Sequence, residues 1–137
     1  MDLLDLRHKI EKIDSKIPNI NYGGCGTFSY HLHKTLKDKY DIDSEIYYIS
    51  GPPAGIDYDI KFSHILLKVE DYFIDNKGLY RVDKSSINPN NKLSTEKLKE
   101  MIGIKELWNN KFNVVYFDSN LQIKQISDDL IKLIYKI

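Results

Sequence analysis

The chain is 137 residues long, which is enough for a domain with its own hydrophobic core, and we expect a single domain over residues 1–137. Lys and Arg number 20, as do Asp and Glu, so no net charge recruits nucleic acid or an anionic membrane. The single cysteine excludes an internal disulfide, and without a CxxC motif or a Cys/His cluster we expect neither a metal nor a cofactor.

The N-terminal residues lack the basic start and the long apolar run of a signal peptide. No later segment approaches the ~20 apolar residues that a membrane span requires. Together with the unpaired cysteine, these features predict a soluble protein in a reducing compartment, the cytoplasm.

Residues 2–17 have the pattern of an amphipathic helix. Asp2 is a suitable N-cap, and apolar residues recur at helical spacing at Leu3, Leu6, Ile10, Ile13 and Ile17. Pro18 ends this helix, and the asparagines and glycines after it predict a loop up to Gly24.

A second helix is predicted from about Gly24 to Lys39, with Cys25 at its start. The residues that follow the cysteine at helical spacing are Phe28, Ser29, Leu32 and Leu36. At a helix N-terminus, unpaired backbone N–H groups and the helix dipole favour the reactive thiolate over the thiol. We therefore interpret Cys25 as a nucleophile; the alternative is a buried structural thiol, which is a common role for a free cysteine.

Two further candidates for chemistry lie on the same helix, His31 and His33. They are two positions apart and diverge, so they do not have the i, i+4 spacing of a helical metal pair. We expect both to be structural or surface groups.

Residues 43–50 predict the first strand of a sheet. The Gly- and Pro-rich segment after it predicts a loop, because both residue types interrupt regular structure. This loop is a candidate rim for a substrate cleft, although a plain connection has the same composition. Its cleft candidates are Gly51, Pro52 and Pro53.

Residues 64–75 predict a β-hairpin in which two apolar runs flank Glu70-Asp71. A histidine opens the first strand and an aspartate closes the second, and these two ends meet in an antiparallel pair. His64 and Asp75 are therefore expected to be cross-strand neighbours. The aspartate can accept a hydrogen bond from one imidazole nitrogen while the other faces Cys25, as in a catalytic triad.

After the hairpin, the sequence predicts an alternation of sheet, loop and helix segments. Residues 79–82 extend the sheet or cover its edge, and residues 85–92 form a polar loop. A helix capped by Ser94 follows, with breaks near Gly103, and then strands at 112–117 and 121–126. The chain closes with a short helix capped at 127–129, or with a strand. The whole order predicts an α+β domain, with helices on one side of a mostly antiparallel sheet.

A cysteine that opens a helix after a glycine-containing loop, a histidine that begins a strand and an aspartate on the next strand resemble the papain-like superfamily in the broad sense. The compact transglutaminase-like and arylamine N-acetyltransferase-like branches are the most similar, because Cys25, His64 and Asp75 are closely spaced. The resemblance covers about residues 19–80. It implies a papain-like core in which these three residues form a Cys-His-Asp triad.

Papain relatives often place a glutamine upstream of the cysteine to bind the oxyanion, whereas this sequence has Asn19 and Asn21 there. Either side-chain amide is a candidate oxyanion donor, as is the backbone N–H of Cys25. The neighbouring candidates for the substrate cleft are Tyr22, Gly23 and Gly24.

The leading hypothesis is a thiol-dependent hydrolase. Cys25 attacks an amide or isopeptide carbonyl, His64 acts first as base and then as acid, and Asp75 holds the imidazole tautomer. If water accepts the acyl group of the thioester, the protein is a peptidase, amidase or deamidase that acts on a peptide or protein. An amine acceptor makes it an acyltransferase or a transglutaminase-like transferase. The third hypothesis is a non-catalytic papain-like binding module or adaptor in a larger assembly, although such a surface does not need all three residues.

Overall fold

The computed structural model describes residues 1–17, 20, 24–49, 64–84, 91–102 and 120–137. The helices in this part of the chain are α1 (Leu3–Lys16), α2 (Cys25–Tyr40), α3 (Thr95–Ile102) and α4 (Asn120–Tyr135). Its strands are β1 (Glu45–Ile49), β2 (His64–Val69), β3 (Tyr72–Asp75), β4 (Gly78–Arg81) and β5 (Asn91–Leu93), and a short 3-10 turn (Val82–Lys84) follows β4. None of the described helices combines the length and the apolar character needed to cross a bilayer.

The strands form one antiparallel sheet in the order β4-β3-β2-β1-β5. Their pairing aligns a single apolar row across the sheet, which consists of Leu79, Ile74, Leu67, Ile46 and Leu93. This row belongs to the same core as the apolar residues of the helices. Because a one-residue slip would turn every side chain to the opposite face, burial of this row specifies the register. The predicted α+β class, with helices packed on a mostly antiparallel sheet, is confirmed.

Helix α1 begins as predicted. The Asp2 carboxylate accepts hydrogen bonds from the backbone N–H groups of Leu4 at 2.6 Å and Asp5 at 3.1 Å. These bonds satisfy donors that would otherwise lack partners at the helix N-terminus. The apolar stripe then packs into the core, where its buried members are Leu6, Ile10 and Ile13.

The strand predicted at 121–126 is wrong, because these residues belong to α4. Apolar residues recur here at helical spacing, and Leu130 and Ile134 are fully buried against the rest of the core. The alternation of apolar and polar residues that suggested a strand covers fewer residues than this helical stripe, and burial of the longer stripe favours the helix. The cap predicted at Ser127 is also wrong, since Ser127 is buried within the helix.

Strand β5 differs from the predicted polar loop, because Asn91 and Lys92 pair with β1 at an edge of the sheet. A strand of three residues is too short to show an alternating pattern, so only its partner strand reveals it. The predicted cap of α3 is confirmed: Ser94 Oγ accepts a hydrogen bond from the Lys97 backbone N–H at 3.1 Å. The strand predicted at 112–117 lies outside the described residues.

Candidate active site

Cys25 is the first residue of α2. The N-cap, Gly24, has no side chain to bond the first turn, and the first helical hydrogen bond runs from the Phe28 N–H to the Gly24 carbonyl at 2.9 Å. The backbone N–H groups of Cys25, Gly26 and Thr27 precede this bond, at the N-terminus of α2. They surround the cysteine with the positive end of the helix dipole.

The face of α2 that carries Cys25 is held against β2. Ser29 lies one turn after the cysteine, is fully buried, and donates a hydrogen bond to the backbone carbonyl of Ile65 at 3.3 Å. Residues i and i+4 share one helix face, so this bond brings Cys25 towards the beginning of β2. The residue at that point of the strand is His64.

Strands β2 and β3 form the predicted hairpin. Their paired residues are Leu67 with Ile74, Lys68 with Phe73 and Val69 with Tyr72. Continued by one pair, this register places Asp75 opposite Leu66, so His64 and Asp75 are diagonal rather than direct neighbours. Diagonal residues are within reach of long or aromatic side chains. The His64 Nε2 atom lies 3.0 Å from Oδ2 of Asp75.

Both carboxylate oxygens of Asp75 have partners. Oδ2 contacts His64, and Oδ1 accepts a hydrogen bond from the Lys77 backbone N–H at 2.8 Å. The residue is only 7% exposed, so little water competes for these contacts. Because a carboxylate only accepts hydrogen bonds, Nε2–H points towards Asp75, and Nδ1 is the ring nitrogen left for another partner.

The surroundings of His64 raise its pKa from 6.5 to about 10. Burial alone lowers this pKa, because it disfavours the charged ring. The hydrogen bonds to Asp75 and Cys25, together with the charges of these two groups, outweigh burial. These contacts favour the protonated form of the ring. A cation beside a thiol favours the thiolate, which is the nucleophilic form.

The three side chains form one connected site. Cys25 is a free cysteine and is 4% exposed, while the side chains of His64 and Asp75 are 18% and 10% exposed. Such an arrangement can carry out nucleophilic attack, proton transfer and control of the imidazole tautomer. Within the described part of the chain, no group of three or more His, Cys, Asp and Glu side chains is arranged to hold a metal ion.

Most of the residues predicted to bind the oxyanion or to line the cleft lie outside the described part of the chain. They are Asn19, Asn21, Tyr22, Gly23, Gly51, Pro52 and Pro53. Of the cleft candidates, Gly24 is described, and it is the N-cap of α2. Among the described residues, the first-turn N–H groups of α2 are the candidates for oxyanion donors.

The other two histidines of α2 have structural contacts, in agreement with the prediction. His31 is buried, and its Nδ1 lies 2.8 Å from the Tyr135 hydroxyl on α4. His33 lies between Ser44 and Thr95, with Nδ1 at 2.6 Å and Nε2 at 3.4 Å from their hydroxyl oxygens. These contacts connect α2 to its neighbours along the chain and in the helical layer.

Asp14 is a residue near the site that sequence reasoning misses. It accepts hydrogen bonds from the side chains of Asn76 and Lys77, the two residues that directly follow Asp75. Asp14 precedes Asn76 by 62 residues, and the pattern of α1 identifies it only as a polar position. The one local signal is the turn-forming Asn76-Lys77-Gly78 sequence, which does not indicate a partner on α1.

Comparison of the chain with protein-family models, with curated proteins and with solved structures finds no match in any of the three. What Cys25, His64 and Asp75 do is therefore inferred from their geometry and their chemistry.

Proposed function

We propose that the protein is a thiol-dependent hydrolase with a papain-like Cys25-His64-Asp75 triad, which cleaves an amide or isopeptide bond in a peptide or protein. The observation that carries the proposal is the position of His64, which is bonded to Asp75 through Nε2 and interacts with Cys25. The order of a cysteine helix, a histidine strand and an aspartate strand also supports the resemblance to the papain-like superfamily.

In the resting enzyme, His64 holds the proton of the Cys25 thiol. The thiolate attacks the substrate carbonyl carbon, a C–S bond forms, and the carbonyl electron pair moves to oxygen. The first-turn N–H groups of α2 donate to this oxyanion. When the oxyanion collapses, the C–N bond breaks and the imidazolium gives its proton to the departing amine. A thioester on Cys25 remains.

The second half of the reaction releases the acid. Neutral His64 takes a proton from water, and the resulting hydroxide attacks the thioester carbon. The C–S bond then breaks, and the thiolate returns beside the protonated His64. Asp75 holds the Nε2–H throughout, so that Nδ1 is the nitrogen that exchanges protons. An amine in place of water would give acyl transfer by the same steps.

The chemistry also bears on where the protein works. A nucleophilic cysteine must stay reduced, because oxidation beyond the sulfenic acid removes its reactivity irreversibly in most proteins. Cys25 is a free thiol. We therefore place the protein in a reducing compartment, the cytoplasm.

The generic acyl donor p-nitrophenyl acetate tests this function without knowledge of the natural substrate. Wild-type protein should acquire an acetyl group on Cys25, which peptide mass spectrometry locates and hydroxylamine removes. Cys25→Ser and His64→Gln should lose this acetylation yet unfold cooperatively on heating. His8→Gln, which changes an exposed histidine of α1, is the matched control and should react as the wild type does.

The fate of the acetyl group separates the two reaction types. Release as acetate in the presence of glycine methyl ester supports the hydrolase, whereas formation of the N-acetyl amide identifies a transferase. Acetylation confined to lysines, with Cys25 unmodified, would contradict both.

A further inference from the structure

The turn between β3 and β4 is tied to α1 by Asp14. Oδ1 of Asp14 accepts a hydrogen bond from Asn76 Nδ2, and Oδ2 accepts one from Lys77 Nζ, both at 2.9 Å. Asn76 is 1% exposed, so its bond to Asp14 is shielded from water. The Lys77 side chain is 55% exposed, and an ion pair of this kind contributes little. The bond between Asp14 and Asn76 is therefore the dominant connection.

The same turn orients the aspartate of the triad. Asp75 pairs with Gly78, so the turn consists of Asn76 and Lys77 alone. Its second residue provides the backbone N–H that holds Oδ1 of Asp75 at 2.8 Å. A displacement of this short turn would therefore move the Lys77 N–H and rotate the carboxylate that contacts His64.

We propose that Asp14 is a positioning residue: through its hydrogen bond to Asn76 it holds the β3–β4 turn, and thereby keeps the Asp75 carboxylate on Nε2 of His64. The proposal rests on the proposed function, since it assigns Asp14 a role in aligning that triad. Asp14 acts through Asn76 and the turn, and it is not itself a catalytic residue.

Position and charge are two separate ways in which Asp14 can act. The pKa of Tyr80 on β4 is raised by burial and then by the charges of Asp75 and Asp14, so both carboxylates lie near this side chain. Loss of the Asp14 charge could alter the site electrostatically even if the turn stayed in place. Asp14→Asn distinguishes the two effects, because the amide oxygen still accepts the Asn76 hydrogen bond while the charge is gone.

The test measures two properties of each variant: the pKa of the His64 ring by NMR, and the rate at which iodoacetamide alkylates Cys25. Asp14→Ala should lower the His64 pKa by about one unit, as a loosened Asp75 contact requires, and should slow the alkylation of Cys25 relative to the wild type. Asn76→Ala removes the same hydrogen bond from its other end and should reproduce both changes.

Three variants should behave as the wild type does. Asp14→Asn keeps the bond to Asn76, and Lys77→Ala removes only the exposed ion pair while its backbone N–H remains. Glu11→Gln is the matched control for charge, because Glu11 lies on the same helix and its Oε1 approaches Gly78 of β4. Thermal unfolding of every variant confirms that the measurements are made on folded protein.

The outcomes separate this proposal from the function on which it rests. Wild-type values in both Asp14→Ala and Asn76→Ala would overturn the positioning role and leave the hydrolase intact. Equal losses in Asp14→Asn and Asp14→Ala would overturn it in favour of a charge effect. A wild-type protein whose His64 titrates near 6.5 and whose Cys25 reacts as an ordinary thiol would contradict the hydrolase itself.

Discussion

His64 is the residue whose surroundings decide what Cys25 can do. Burial disfavours its charged form, and that effect alone would leave a neutral ring at physiological pH. Asp75 and Cys25 reverse the balance, each through a hydrogen bond and a charge, and bring the pKa to about 10. In the proposed reaction, the protonated ring therefore acts first as the acid that gives its proton to the departing amine.

The titration of His64 in variants tests how these influences combine. Asp75→Asn and Cys25→Ser should each lower the His64 pKa below the wild-type value of about 10, because each removes a charge that raises it. In the double variant, burial becomes the dominant influence, so the pKa should fall towards or below 6.5. NMR titration of the ring C–H protons gives these values. A His64 pKa that is the same in all four proteins would refute the assigned partners.

At the scale of elements, the hairpin brings His64 and Asp75 together at the cost of one unfavourable backbone conformation. Glu70 begins the turn between β2 and β3 with φ of 51°, in the left-handed region. This conformation destabilises a residue with a side chain by roughly 1 kcal/mol or more, because Cβ approaches the following carbonyl oxygen. Glycine avoids this contact.

Glu70→Gly should therefore stabilise the protein by about 1 kcal/mol. Urea denaturation measures the free energy of unfolding, and Glu70→Gln is the control, since it removes the charge but keeps Cβ and should change stability little. A glycine variant no more stable than the glutamine variant would show that the turn is not strained.

Helix α4 has a pattern of burial that a strand could not have. Leu130 is fully buried and Lys132 is exposed, although residues two apart would share one face of a strand. Leu130→Ala should cost about 2–5 kcal/mol, because it leaves a cavity between the helices. Lys132→Ala should change the free energy of unfolding by less than about 0.5 kcal/mol. Similar losses in the two variants would contradict the helical pattern of burial at these positions.

At the scale of the whole molecule, α2 is central because it contacts the sheet, α3 and α4. Phe28 and Leu32 pack in the core behind it, and the buried bond from Ser29 to Ile65 holds the N-terminal half of α2 against β2. The placement of Cys25 beside His64 and Asp75 thus depends on the packing of α2 against the β2–β3 hairpin, which lies later in the sequence.

Local patterns were sufficient to predict α1, α2 and the hairpin, since their apolar periodicity, the Asp2 cap and the Glu70-Asp71 turn all lie within a few residues of one another. They were also sufficient to pair His64 with Asp75, because the pairing follows from the ends of a single hairpin. Their diagonal arrangement depends on the pairing register of β2 and β3, which the sequence pattern does not determine.

Tertiary contacts explain what the sequence does not reveal. Strand β5 exists because β1 offers an open edge, and its three residues have no pattern of their own. The bond between Asp14 and Asn76 joins two polar positions that only the packing of α1 against the sheet brings together. Neither feature leaves a signal in a window of neighbouring residues.

Activation of Cys25 by His64 is measured most directly by the rate of iodoacetamide alkylation as a function of pH. An ordinary thiol has a pKa of ~8.5 and is mostly unreactive at pH 6.5. Wild-type Cys25 should react at least about tenfold faster than Cys25 in His64→Gln at that pH, and His8→Gln should match the wild type. Identical profiles in the wild type and His64→Gln, with rates that rise only near pH 8.5, would contradict the triad.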